Sequence, residues 1–240
     1  MANSKIKLAI KSVNFKFIED QLPELAVLGD YAEQYAFSDP ASSLVKLRSY
    51  VERTVDLIYN ELGLQKPDTS NLIDLMRNED FTESIPNEII SKLHAIRING
   101  NKAAHSDHVT NKDSIWILRE AYDLARWLHL SFFNGDTSDI NDFQKPVKLE
   151  QSDTNQELVK KEQTIQKLLI ELDKKRKELS SVRKESSHYQ RALERSREVA
   201  HILEFNEEQT RDRIIDKLLT SVGWNVGADR GNSNNVKQEF

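Results

Sequence analysis

Arg97, Asn101 and His105 are the residues whose types and spacing most suggest chemistry, and all three stand in the stretch LHAIRINGNKAAH over residues 93–105. A guanidinium grips a phosphate through paired N–H donors, an imidazole exchanges a proton near neutral pH, and an amide can orient either. The spacing predicts a helix through Leu93, Ile96 and Arg97, a break at Gly100-Asn101, and a restart through Ala103 and Ala104 that delivers His105 next to Arg97. Read for function, the cluster serves a nucleic acid or phosphate chemistry. Read for structure, it is a buried, hydrogen-bonded hinge between two helices. These residues alone leave both possibilities open.

Lys46, Arg48, Arg97 and Lys102 are the basic residues placed to meet nucleic-acid phosphates. Lys46 and Arg48 are two apart on a helix and do not share a face, so a solvated surface with local ion pairs is the plainer account of either one alone. The net charge of -5 gives no global pull toward nucleic acid, and any contact must come from such a local patch. His105 and His108 lie three apart with no supporting carboxylate or third histidine, so no metal site is expected. With no cysteine in the chain, disulfides and thiolate metal sites are excluded. The cluster Lys174, Lys175, Arg176 and Lys177 is interspersed with Glu171, Asp173 and Glu178, the pattern of a solvated helix face.

Helices must position these groups. Phe17, Ile18, Leu22, Leu25, Leu28 and Tyr31 recur at helical spacing, with Pro23 near a helix start. Asp39 is placed to cap a helix over residues 41–62, with Pro40 at its first position and Gly63 as terminator. A short helix from Asn71 is expected to run toward Phe81, and Pro86 opens the helix that carries Arg97. Asp113 or Ser114 is expected to cap an apolar helix in which Ile115, Leu118, Tyr122, Ala125 and Leu128 share a face. Trp116 and Trp127 sit within that apolar pattern and read as core or interface.

The fold class expected is all-α: an N-terminal helical bundle, a long coiled-coil helix and a short truncated C-terminal segment. Residues 1–133 form the helical domain, 134–155 a polar linker, 156–205 the coiled coil, and 206–240 a start of a further domain with too little apolar residue to fold alone. The coiled coil rests on Leu158, Ile165, Leu172, Leu179, Leu193 and Ala200 in one heptad column, with Leu168, Val182, Tyr189 and Leu203 three residues on. Its partner could be another chain or another domain. No apolar run approaches a membrane span and no signal-peptide core is present, so a soluble cytoplasmic protein with no membrane partner is expected.

The chain resembles the amino-terminal part of the R (motor and restriction) subunit of type I restriction-modification enzymes, the HsdR family. The carriers are residues 15–17, PELAVLGDYAE over 23–33, Asp39-Pro40, LVKLR over 44–48 followed by Glu52, Arg97 with GNKAAH over 100–105, and Leu124-Ala125-Arg126-Trp127. The first region is similar to the helical domain of unknown function 4145, distantly related to HEPN domains. Residues 207–211, Ile215-Asp216, Leu219 and Gly223-Trp224 look like the entry helix of the family's PD-(D/E)xK nuclease domain. The resemblance implies phage defence by a subunit that translocates and cuts DNA with ATP and Mg²⁺, in a complex with modification and specificity subunits.

Neither the nuclease metal ligands nor a phosphate-binding Gly-x-x-x-x-Gly-Lys loop occurs here. The expectation is therefore a non-catalytic interaction and DNA-positioning module, a fragment or truncated product with no cofactor of its own, inactive alone. Self-association through the coiled coil is a further expectation. The alternative is a HEPN-like ribonuclease or RNA-binding protein using Arg97 and His105, whose separation is longer than that motif usually has.

Overall fold

Short polar side chains set where most of the helices begin. The computed structural model describes residues 10–68, 71–105, 108–147 and 186–224, with isolated positions 163, 167, 170 and 226. A single turn at Lys16–Ile18 leads into α1 (Pro23–Ser38). The Asp39 carboxylate accepts from the Ser42 amide and starts α2 (Pro40–Leu62), which stops at Gly63 in the left-handed conformation with φ 62°. Where one short helix was expected from Asn71 there are two, α3 (Leu72–Arg77) and α4 (Glu79–Ser84), because Asn71 and Asn78 each cap a separate turn. Next comes α5 (Asn87–Ala104), preceded by Pro86. Thr110, rather than Asp113 or Ser114, caps α6 (Asn111–Phe132): its hydroxyl accepts from the Asp113 amide and the Asp113 carboxylate accepts from the Thr110 amide in return. No strand occurs among the described residues, and the fold is all-α.

The bundle is organised around α2 and α6. Helix α2 packs on α1, α5 and α6, while α6 also touches α1 and α5. Leu44, Leu47, Val51, Val55 and Ile58 of α2, and Leu118, Ala121, Ala125 and Leu128 of α6, are fully buried. Each large aliphatic among them contributes roughly 1.5–3 kcal/mol from leaving water. Buried hydroxyls tie the layers together, Ser43 donating to the Ala32 carbonyl and Ser114 to that of Ala36. No helix among the described residues is long and apolar enough to cross a membrane.

Two segments that the sequence separates from the bundle pack against it where they are described. Past α6, the Gln144 amide donates to Asn14 Oδ1 and Asn14 Nδ2 donates to the Gln144 carbonyl, while Phe143 rests on the Tyr122 ring. The polar stretch up to Val147 is thus a strap, held because the polar side chain of Asn14 offers it both a donor and an acceptor. Of the expected coiled coil, α7 (Ser186–Ile202) is described, and it lies against α6. Its buried stripe is Ala192, Ser196, Val199 and Leu203, with Ala200 beside it, so Ala200 and Leu203 of the expected columns are covered while Leu193 is half-buried and Ala192 and Val199 take the seam beside it. Small residues in this stripe allow a close approach, and the Trp127 indole N–H donates to the Ser196 carbonyl at 2.9 Å. The column residues over 158–182 lie outside the described residues.

After α7 the chain turns at Glu204, a non-glycine residue with φ 56°. It continues as α8 (Glu207–Thr210), a π-helical turn at Arg211–Ile215 and α9 (Asp216–Ser221). Phe205 and Ile214 enter the same core as the bundle. That placement answers the shortage of apolar residues in this segment, since its few large side chains are buried on surface already present.

Candidate nucleic-acid interface

Gly100 does not break a helix. It lies inside α5, buried, at the crossing with α2, where an added Cβ would stand 2.5 Å from Arg48 Cβ and 3.0 Å from the Leu44 carbonyl oxygen. The glycine is there for close approach, and the expected break at Gly100-Asn101 is corrected accordingly. Because α5 is continuous to Ala104, Arg97 and His105 are about 12 Å apart along its axis. His105, the residue that ends the helix, is exposed. The structure therefore does not bring His105 beside Arg97. Asn101 lies one turn beyond Arg97 on the way.

What the α2/α5 crossing brings together is basic. Arg97 feels the positive charges of Arg77 and Arg48, and burial followed by these two charges holds its guanidinium below the usual range. Its Nε is buried with no hydrogen-bond acceptor, and among the described residues Arg97 has no acidic partner. Arg48 Nε stands 3.4 Å from Glu52 Oε1, a half-exposed pair one turn apart on α2. Such a pair contributes at most a few tenths of a kcal/mol. His94 completes the group from α5: burial first, then Arg97 and Arg77, depress its imidazole below the ordinary value.

Of the basic residues expected at a nucleic-acid surface, Arg48 and Arg97 meet, and Lys46 and Lys102 do not join them. Lys46 is two residues from Arg48 and so on another face of α2, with a partner of its own. Lys102 reaches α9, its ammonium donating to Ser221 Oγ at 3.0 Å. Arg77 and His94 were not singled out by spacing or motif. His94 is three residues before Arg97, so a projection of α5 alone could have found it. Arg77 ends α3, and only the tertiary fold brings it here. Among the described residues no group of three or more His, Asp or Glu side chains could hold a metal ion.

Arg48, Arg77 and Arg97 thus form a group of like charge beside the depressed His94 imidazole. Residues 30–128 match the family described as Domain of unknown function (DUF4145). The matching region runs from within α1 to near the end of α6 and contains Arg48, Arg77, His94 and Arg97. Over 116 residues, 48% of the chain, the sequence is 29% identical to the Type I restriction enzyme EcoKI endonuclease subunit of Escherichia coli (strain K12). The matched part covers only 10% of that protein's length. No solved structure matches the chain.

The depressed His94 imposes a pH dependence on the stability of the bundle. In the unfolded chain a histidine takes up its proton near pH 6.5, whereas folded His94 does so only at lower pH. Stability is therefore undiminished above about pH 7 and falls as pH drops through 6.5 toward the folded value. Between buffers at about pH 7.5 and about pH 5.5, His94→Gln is expected to lose less urea-unfolding stability than the wild type. Equal losses would show that His94 titrates freely.

Proposed function

We propose that this chain acts as a non-catalytic interaction and DNA-positioning module of a type I restriction enzyme R subunit. The observation that carries it is the Arg97 guanidinium, held at the α2/α5 crossing beside Arg48 and Arg77 without an acidic partner among the described residues. A nucleic-acid phosphate supplies the missing negative charge and several acceptors for the guanidinium donors. The DUF4145 match and the similarity to a type I restriction endonuclease subunit support this setting. In this role the chain needs no cofactor, and its protein partners are modification and specificity subunits. In this reading the helical bundle up to residue 133 provides the docking surface.

A phosphate-binding role for Arg97 gives opposite signs for binding and stability. Replacing Arg97 by glutamine removes a phosphate contact, so the dependence of log affinity on log salt for a short DNA duplex should flatten by about 0.9 and binding should weaken at low salt. The same change relieves like-charge repulsion and should leave stability unchanged or raised by roughly 0.5 kcal/mol. Fluorescence anisotropy across a salt series, with urea unfolding in parallel, measures both. Unchanged affinity and slope in Arg97→Gln and Arg48→Gln would end the proposal. An RNA-cleavage assay separates the HEPN-like alternative, because cleavage by the wild type that disappears in His105→Ala would replace DNA positioning with ribonuclease activity.

A further inference from the structure

A second collection of arginines lies where α6 meets the turn after α7 and the π-helical turn. Glu120 and Asp123 of α6 are buried at 0% and 1% exposure. Lys92 Nζ reaches Glu120 at 2.7 Å and Asp123 Oδ2 at 3.2 Å, and Arg213 reaches Glu120 Oε1 at 2.9 Å and Asp123 Oδ2 at 2.8 Å. Two carboxylates are thus matched by two cations. Arg119 and Arg126 come in addition, approaching the remaining oxygen, Asp123 Oδ1, at 3.6 and 3.5 Å. Those separations are long against the 2.7–2.9 Å or so of a charge-assisted bond. Arg119 Nε and Arg126 Nε are buried with no hydrogen-bond acceptor.

These two guanidiniums border a pocket of about 250 Å³, together with Arg213, Gln209, Phe205 and two acids, Glu204 and the already paired Asp123. Among the described residues, Glu204 forms no ion pair with any of the three arginines. Arg119 stands over the Tyr122 and Phe143 rings at 6.0 and 5.1 Å, and Arg126 over Tyr122 at 5.7 Å, so aromatic faces hold both groups in place. The π-helical turn supplies Arg213 from the opposite wall. Such turns are rare and recur at functional sites.

We infer that this pocket binds a phosphate group through Arg119, Arg126 and Arg213. A tetrahedral anion offers oxygens to several guanidinium forks at once and adds negative charge beside Arg119 and Arg126, which share the single long contact to Asp123 Oδ1. The ligand joins α6 to the segment after α7, because the pocket walls come from both. The inference uses none of the residues of the α2/α5 surface and stands or falls apart from it.

The test uses the full 240-residue chain with inorganic phosphate as probe, against chloride at matched ionic strength, by calorimetric titration and thermal unfolding. Phosphate should bind and raise the melting temperature of the wild type, and of Arg97→Gln equally. In Arg119→Gln/Arg126→Gln, shown folded by circular dichroism, affinity should fall at least about tenfold, the effect of removing one charged interaction. Arg126→Lys, which keeps the charge but lacks the fork, should bind with intermediate strength. Phosphate no better than chloride, or a double variant that binds as the wild type does, would overturn the inference. Parallel titrations with a nucleoside monophosphate and a short duplex identify the source. Loss of duplex affinity in the double variant assigns the phosphate to a nucleic-acid backbone, and loss confined to the small anions assigns it to a free ligand.

Discussion

Replacing Glu120 by alanine is expected to lower the unfolding free energy by about 3–5 kcal/mol, the usual result of removing one partner from a buried ion pair. Glu120 is fully buried and faces both Lys92 Nζ, itself 4% exposed, and Arg213. Without it those cations share Asp123 alone, and Lys92 sits among apolar neighbours with the Phe205 ring 4.5 Å away. An ammonium stripped of water and half of its counter-charge is the costly product, and it outweighs the packing that the shorter alanine side chain gives up. Replacing Lys92 by methionine in the same variant should return part of the stability, since it removes the under-compensated buried ammonium. Urea unfolding of the three proteins reads both effects, and a decrease below about 1 kcal/mol for Glu120→Ala would mean water reaches the network. Asp123 ties the same network to pH. Burial pushes its carboxyl up, yet Lys92, Arg213 and Arg119 outweigh burial and hold it below the ordinary carboxylate value. Its contribution is present above about pH 4 and disappears as pH falls through the lower folded value.

The second large effect is expected from Gly100→Ala. On helix propensity alone the change should stabilise α5 by about 1 kcal/mol. Tertiary packing reverses the sign. The new methyl would stand 2.5 Å from Arg48 Cβ and 3.0 Å from the Leu44 carbonyl oxygen, atoms at the root of α2 that cannot swing aside. Helices α2 and α5 must separate along their crossing, and overpacking of this kind costs typically about 1–3 kcal/mol. The expected net change is a decrease of up to roughly 2 kcal/mol. Because the crossing brings Arg48 to Arg97, duplex binding should weaken together with stability. A Gly100→Ala protein as stable as the wild type would show that the crossing has slack and that the basic cluster does not depend on it.

Local rules were legible in the chain wherever a side chain acts on its own backbone. Asp39-Pro40 opening α2, Gly63 closing it, and the apolar stripe of α6 all follow from propensity, capping and periodicity. The same reasoning failed at Gly100, because a glycine needed for positive φ and a glycine needed for close approach are the same letter. It also failed to foresee that α7 buries Ala192, Ser196 and Val199 against α6, since a heptad pattern states that a stripe will be covered without naming what covers it.

For the candidate site, the residue types were visible and the grouping was not. Arg97 and Arg48 stood out as basic residues on amphipathic helices, yet the sequence paired Arg97 with His105, a neighbour in sequence that α5 carries away by more than two turns. Arg77 joins from α3, and Arg213 reaches Glu120 across 93 residues. By itself, the sequence determined that the chain would be helical, roughly where most of its helices begin, and which residues carry charge. The tertiary structure decided which charges share a site, because a few tenths of an ångström at a glycine crossing and the burial of two carboxylates depend on long-range packing that no local spacing encodes.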